Sequence, residues 1–429
     1  MTALFTSVRT GAAPDSPRSG EVGDRTPLRI DCRRSIRDID EGLWDTVNAR
    51  EDLFHSHRFL RAVEDGKIED SSFWYFLFYR DSAPVGAAVL SSFVVSLDLL
   101  VGERTRKVVE AARRLLPRFL RVRVLFCGLP VSICRDSLCI ADSSCRREIL
   151  DCLVAEMTRI ARERAIGFLC FKEFPEEHAA AVEDLSDHGF FAADSLPDVS
   201  LRLSWPDFGS YMADLRHGYR RHMRRSLGKL GLAEPLPPDA RAPGAPPGMP
   251  VLALGGPASC PPERFHELYR NVIARAEVRL ETLGEPFFRS LYEAMGADMQ
   301  VLVLAEGGET LGAALLMTQG GEMTFFLVGL DYARRDEHDV YFNLIYGIVA
   351  AAIRRGCDRL RLGQTSYWVK QSVGGVPAPV RFYLRAERGW VHRLVRAFRP
   401  LLFPTFAPRP ARPFRERPVP ATPGRKAEA

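Results

Sequence analysis

Two stretches of the chain repeat one order of apolar and polar positions. In the first, Ser72 to Arg80 (SFWYFLFYR) predicts a strand, Asp81-Ser82-Ala83-Pro84 a turn, and Val85 to Phe93 the returning strand. In the second, Gln300 to Glu306, Thr310 to Gln319 and Met323 to Gly329 predict three strands, separated by Gly307-Gly308-Glu309 and Gly320-Gly321-Glu322. A long amphipathic helix follows each meander. Ile149, Leu153, Met157 and Ile160 recur at helical spacing within Arg146 to Arg164, as do Leu344, Ile348 and Ala352 within Val340 to Arg355. Both helices end in arginines near Gly167 or Gly356, and short strands follow, Ile166 to Phe171 and Arg359 to Leu362. A meander, one helix and a strand returning beside the meander make an α+β unit. The expected architecture is therefore a duplicated α+β domain.

Proline and glycine mark the boundaries. Ala233 to Pro262 carries ten prolines in thirty residues and predicts a linker or an extended edge segment. The first 27 residues mix Pro, Gly, Ser and charged residues without an apolar signal core, and predict a disordered leader. The expected units are thus a leader (1–27), a first domain (28–232), the linker (233–262), a second domain (263–404) and a disordered Pro- and Arg-rich tail (405–429).

Composition narrows the class without naming it. The chain has 429 residues, 46% hydrophobic and 26% charged, enough for two or three domains with their own cores. A net charge of +5 does not by itself name nucleic acid as a partner, and no DNA partner is expected. No apolar stretch approaches the roughly 18 residues of a spanning helix. Cys127, Cys134, Cys139 and Cys145 have neither zinc-site spacing nor a His among them, so no metal is expected. All nine cysteines read as reduced thiols of a cytoplasmic protein.

Among 59 basic residues only six are lysines: Lys67, Lys107, Lys172, Lys229, Lys370 and Lys426. Lys370 lies in Leu362-Gly363-Gln364-Thr365-Ser366-Tyr367-Trp368-Val369-Lys370-Gln371-Ser372-Val373-Gly374-Gly375. A compact ammonium suits a developing oxyanion in a narrow slot better than a planar guanidinium does. Its bland alternative is a surface lysine beside a Gly-Gly turn. Arg216 to Lys229 (RHGYRRHMRRSLGK) concentrates cations; on a helix Arg220, Arg221, Arg224 and Arg225 form one stripe, able to grip phosphates or simply solvated. His55 and His57 could line a cleft or pack, and packing or exposure is the plainer account; Lys172 reads as structural, Glu322 as a turn carboxylate. Arg104 to Arg123 and Trp390 to Phe403 mix arginines with large apolar residues. Peripheral contact with an anionic membrane is one reading, and packing with snorkelling arginines is the plainer one.

The run Val340 to Tyr346 through Gly356, then Leu360 to Gly363, then Lys370 to Gly375, resembles the closing half of GNAT-like N-acyltransferases of the Fem type. Leu196 to Leu203, the basic helix after it, and Leu43-Trp44-Asp45 with Phe54 to Leu60 resemble that family too, so the likeness spans roughly 35 to 395. The resemblance implies tandem GNAT-like (acyl-CoA N-acyltransferase) domains of α+β class, with mixed, mainly antiparallel sheets and flanking helices. It implies one working site, where two sheet strands splay and a donor carbonyl enters, here between Met323–Gly329 and Arg359–Gly363. Lys370 would be the electrostatic catalyst and Asp331 a proton acceptor or a turn cap. Tyr367 and Trp368 would wall the acyl slot or join the core. Donor phosphates would meet the loop before the long helix, with Arg334, Arg335 and Asn343 as candidates, although Asn343 could equally satisfy backbone groups. That loop lacks the glycines of an acetyl-CoA loop and adds Asp336, Glu337 and Asp339. The expected activity is acyl transfer to a small-molecule amine, with acyl-CoA as co-substrate and no permanently bound cofactor. The alternatives are a Fem-type aminoacyl-tRNA donor and a non-catalytic binding module.

Overall fold

The aromatic run at Ser72–Arg80 is buried at every interior position, which marks a strand covered on both faces. Phe73, Tyr75, Leu77 and Tyr79 face one core while Trp74, Phe76 and Phe78 face another, as the two-residue period of a strand requires. The computed structural model describes residues 26–47, 52–96, 121–236, 249–276 and 281–415. The leader to residue 25, the basic segment at 97–120 and most of the Pro-rich stretch, 237–248, lie outside the described residues.

Two sheets carry the fold. The first holds β1 (Arg29–Arg33), β2 (Ser72–Arg80), β3 (Ala83–Ser96), β4 (Arg121–Cys127), β5 (Leu138–Ile140), β6 (Phe168–Pro175) and β7 (Phe191–Asp194). The second holds β8 (Asp198–Arg202), β9 (Val251–Gly255), β10 (Met299–Glu306), β11 (Glu309–Gln319), β12 (Glu322–Leu330), β13 (Arg359–Gly363) and β14 (Val376–Ala378). One further strand, β15 (Val380–Ala386), leaves the second half and inserts between β6 and β7 of the first sheet. Conversely β8, which precedes the linker, pairs with β13 and β14 in the second sheet. The halves therefore exchange strands, and neither sheet is built from one contiguous stretch of chain.

Helices α1 (Glu41–Val47), α2 (His57–Asp65), α3 (Arg146–Glu163), α4 (Phe208–Asp214), α5 (His217–Gly228), α6 (Pro262–Arg275), α7 (Glu285–Met295) and α8 (Val340–Arg354) cover the sheets. Three more follow: α9 (Tyr367–Ser372), α10 (Gly389–Ala397) and α11 (Arg399–Leu402). A central core joins the inner faces of both sheets to residues of α1, α2, α6 and α7. The outer faces pack separately, the first sheet on α3 and the second on α4, α5 and α8. Both long helices fall where their apolar spacing places them: α3 buries one stripe, whereas α8 is buried nearly all round.

The Pro-rich stretch is an extended edge segment, one of its two expected readings: it supplies β9, the edge strand of the second sheet, paired with β10 along Val251–Gly255. The expected disordered tail is corrected. Residues up to Arg415 of the expected disordered tail are held in place: Phe414 bridges to Leu215, and its ring lies 5.0 Å from Trp205 and 5.9 Å from Tyr211. Helices α10 and α11 bury no residue fully, yet they seat on the first sheet through Val395 and the adjoining Phe403, as the packing reading expects, while their outer face stays exposed.

Gly329 lets α6 approach β12 closely. A Cβ there would sit 2.5 Å from Leu268 Cβ and 3.0 Å from the Tyr269 backbone nitrogen. Gly329→Ala is expected to lower stability by about 1–3 kcal/mol, the range for overpacking, whereas Gly167→Ala, with open space around it, should stay near wild type. Urea midpoints of the two variants check this, and equal midpoints would contradict the close approach.

Candidate functional site

The site begins where a ladder stops. Strands β12 and β13 run parallel and pair only through Glu322–Arg359, Met323–Leu360 and Thr324–Arg361. Beyond Thr324, β12 continues to Leu330 with no strand partner on that side, so the two strands part. A β-bulge adds to the change of course. Phe325 opposes Leu316 and Leu327 opposes Leu315, leaving Phe326 as the extra residue. Its ring packs against Phe54, Phe59 and Phe287 in the central core.

Lys370 lies in this gap. It is 3% exposed, and its ammonium donates to the Gln364 carbonyl. It also lies 5.8 Å from the Phe325 ring centroid. A Cβ on Gly363 would stand 3.9 Å from both Lys370 Nζ and the Phe325 carbonyl, so the lysine sits at the mouth of the strand divergence. Burial pulls its ammonium down to about 8, against the opposing pull of Asp198 and the Cys134 thiol. The loop that carries it is bent unusually: Gly363, Thr365 and Ser366 all have positive φ, at 73°, 62° and 49°.

Asp198 and Arg361 complete the charged wall. Arg361 Nη1 donates to Asp198 Oδ2 at 3.1 Å, Nε to Glu322 at 2.9 Å and Nη2 to Glu177 at 3.0 Å. Burial holds the Asp198 carboxyl above its usual range even beside Arg361 and Lys370, and its Oδ1 is buried without a hydrogen-bond partner. The walls of the cavity, ≈ 330 Å³ in volume, come from both halves: Ser132 to Cys134 from the first, and β12, β13, Tyr269 and Glu281 from the second.

Glu281 is the residue that sequence reasoning misses. It precedes α7 in a segment with no motif, so nothing in the local pattern marks it. Burial pushes its carboxyl up to about 7, countered by Lys172 and by hydrogen bonds from Ser132 of the first half. Its Oε2 is buried and unpartnered among the described residues. Cys134, also in the wall, stays a thiol: burial, with Asp198 and Glu173 nearby, pushes it well above the usual range.

The other sequence candidates divide. Asp331 lies outside this cavity and caps its own turn, accepting from the Ala333 N–H at 2.9 Å. Asn343 is fully buried and its amide donates to the Ser226 and His338 carbonyls at 3.0 and 2.7 Å, so it braces backbone. Arg334 pairs with Glu306 and with Glu337, whereas Arg335 pairs with Asp336 at 2.8 Å and lines the cavity. Glu322 is more than a turn carboxylate, since it bridges Arg361 and Arg135. His55 and His57 are buried and packed, their Nε2 atoms on the Asp136 and Ile36 carbonyls. Lys172 holds the Leu129 carbonyl and Ser132 Oγ.

A second groove, ≈ 440 Å³, opens at the start of α8 and shares Arg335, Tyr341 and Ser366 with the first cavity. Tyr367 and Trp368 line it, Tyr367 anchored through its hydroxyl to the Pro197 carbonyl and Trp368 60% exposed. The basic helix α5 borders this groove, because His222 lies 4.8 Å from the Phe342 ring and 6.1 Å from Trp368. Arg221, Arg224 and Arg225 are exposed on α5, while Arg220 is partly buried and donates to the Ala213 carbonyl. The stripe therefore stands beside the groove and does not line the cavity.

Comparison with known proteins bears on the domain and the fold. Residues 262–371 match the family "Acetyltransferase (GNAT) domain". In sequence the chain is 27% identical over 350 residues to "Putative 8-amino-7-oxononanoate synthase 2" of Mycobacterium tuberculosis, the match covering 78% of this chain and 42% of that protein. The chain thus spans less than half the length of that relative. The structure resembles the crystal structure of FemX with a TM-score of 0.52 at 12% identity, over 85% of this chain and 99% of FemX, which is a likeness of fold. A tandem GNAT protein from the clavulanic acid biosynthesis pathway aligns with a TM-score of 0.47 at 13% identity, over 84% of this chain and 98% of its own. Residues 262–371 thus form a GNAT-type acetyltransferase domain, set in a fold like that of FemX across both halves.

Proposed function

We propose that the chain transfers an acyl group from an acyl-CoA to the amine of a small molecule. The observation that supports this reading is the open edge of β12 facing a buried lysine in a cavity with largely apolar walls. In this reading the donor's pantetheine arm lies along the unpaired edge of β12 as an added strand would, and its thioester carbonyl enters the gap. The amine attacks the carbonyl carbon while the Lys370 ammonium stabilises the oxyanion. Glu281 takes the proton shed by the amine, the new C–N bond forms, the C–S bond breaks, and CoA leaves as its thiolate. Arg221, Arg224 and Arg225, on the helix that borders the groove, grip the donor's phosphates in place of a glycine loop. Acyl-CoA is a co-substrate here, with no permanently bound cofactor.

A second donor, an aminoacyl-tRNA, is favoured by one observation: the loop before α8 has no glycine, and Arg334 is committed to Glu306 and Glu337. A panel of acyl-CoAs and aminoacyl-tRNAs with amine acceptors separates the two. Release of free CoA thiol with an acylated amine supports the first reading. Turnover only with aminoacyl-tRNA replaces the donor, and donor binding without turnover across the panel points to a binding module.

Lys370→Met is expected to cut turnover roughly 100-fold or more, as for loss of one oxyanion donor, while leaving the melting curve cooperative. Lys370→Arg should fail too, because the wider guanidinium does not fit a slot that buries a point charge. Wild-type turnover in a folded Met variant would remove Lys370 from the mechanism.

The two titrating groups set a pH window. Glu281 acts when ionised, so kcat/KM should fall as pH drops below about 7; Lys370 acts when protonated, so it should fall again above about 8. In Glu281→Gln the acidic limb should vanish and the plateau drop by about 100-fold. An unchanged acidic limb in that variant would assign the base elsewhere.

Replacing Arg221, Arg224 and Arg225 by Gln should raise KM for the donor with kcat largely kept, and flatten the dependence of kcat/KM on salt. Equal KM and equal salt slope would return these arginines to a solvated face.

A further inference from the structure

Among the described residues, a group of large apolar side chains stands exposed away from the cleft, on α10 and α11. Trp390, Leu394, Phe398 and Leu401 follow one another at spacings of four, four and three and form a single stripe. Each is largely exposed, at 64%, 52%, 51% and 70%. The opposite side seats the helices on the first sheet. There Val395 and Phe403 meet a small cluster with Phe191 and Leu384, and the Phe403 ring lies 5.1 Å from Phe382. The outward stripe is therefore a face held in a fixed orientation by its own backing, and no described residue covers it.

Glu387, just before α10, is paired with Arg385, and the charges on the helices themselves have one sign. Arg388, Arg393 and Arg396 are exposed and make no ion pair among the described residues, and Arg399 reaches the Ala192 carbonyl. From Trp390 to Arg415 the sequence contains no carboxylate at all. An occupant of this face must therefore supply both anions and an apolar layer. A second copy of the chain, presenting the same face, would bring more arginines and no acids to meet them. An anionic lipid surface supplies phosphates at the level of the arginines and acyl chains for Trp390, Leu394 and Leu401. Among the described residues no helix is long and apolar enough to cross a membrane, so the contact is one of lying on the surface.

We infer that α10 and α11 dock the protein flat on an anionic membrane, with Trp390, Leu394, Phe398 and Leu401 inserted among the lipids. The reading is independent of donor and acceptor, since none of these residues lines the cavity or the groove.

The test is co-sedimentation of the full chain with phosphatidylcholine vesicles, with and without phosphatidylglycerol. The wild type should pellet with the anionic vesicles and remain in solution with the neutral ones, and added salt should release it. Leu394→Glu with Leu401→Glu should weaken partitioning by about tenfold or more, and Arg393→Gln with Arg396→Gln should do likewise. Both pairs change exposed side chains, so unchanged melting curves verify the fold. Absence of the wild type from the anionic pellet, or equal pelleting of both paired variants, overturns the proposal. A dimer in light scattering that the Leu394→Glu, Leu401→Glu pair dissolves would assign the face to a second copy instead.

Discussion

One buried guanidinium decides where the second sheet opens. Arg361 occupies the last rung that β13 shares with β12, opposite Thr324, and is 7% exposed. Its three donor positions are spent on Glu322 of β12, Asp198 of β8 and Glu177 of the first half. Below this point three strands are tied together; above it β12 and β13 share no ladder pair among the described residues. A neutral polar residue could not satisfy three carboxylates at once, and a lysine would offer a point where a fork is needed. The bond to Glu177 counts for little in stability, because that carboxylate is 46% exposed and screened. The pairs with Asp198 and Glu322 matter more: breaking such a buried pair by removing one partner costs about 3–5 kcal/mol in general. Through Glu322 the network continues to Arg135 and Asp52, so the opening of the second sheet is braced against the first half.

The exchange of β8 and β15 gives that brace its rigidity. Asp198 belongs to a strand that leaves the first half and pairs with β13, and β15 returns to fill the first sheet between β6 and β7. Neither half can close its sheet alone, and the cavity wall from Ser132 to Cys134 is held at a fixed place relative to Lys370. Glu173 fixes that wall by accepting the Ile133 and Cys134 N–H groups, both at 3.0 Å. Function follows from this arrangement. The carboxylate of Glu281 and the ammonium of Lys370 come from separate parts of the chain and yet face one volume.

Local rules made much of this legible in the sequence. The meanders, α3 and α8 came from apolar period and glycine turns, which are local signals that each segment carries by itself. The strand exchange left no such trace: β8 and β15 are short strands whose partners lie about 160 to 220 residues away in sequence, and local period cannot choose among partners. Site residues divided in the same way. Asp331 and Asn343 sit at turn and helix-start positions where a polar side chain is wanted by the backbone anyway, and the backbone took them. Glu281 sits in an unremarkable connection and gains its character only from Ser132 and the burial that the other half imposes. The exposed face of α10 was legible as amphipathic but not as uncovered, since exposure depends on what packs beside it.

The scarcity of lysine explains why Lys370 could be read at all. The chain uses arginine for nearly every other cation, and at Arg361 the reason is geometric: a charge that stays on, with a fork that ties three acids. Lys370, one strand-end away, has a single hydrogen-bond acceptor among the described residues, Gln364, and burial lowers its hold on the proton to about 8. The two cations share Asp198 but do different work. Arg361 fixes the shape of the gap at every physiological pH, whereas Lys370 can respond to charge that appears inside it. An arginine at 370 would keep its proton, would need more acceptors than the gap provides, and would close the opening that Arg361 holds in place.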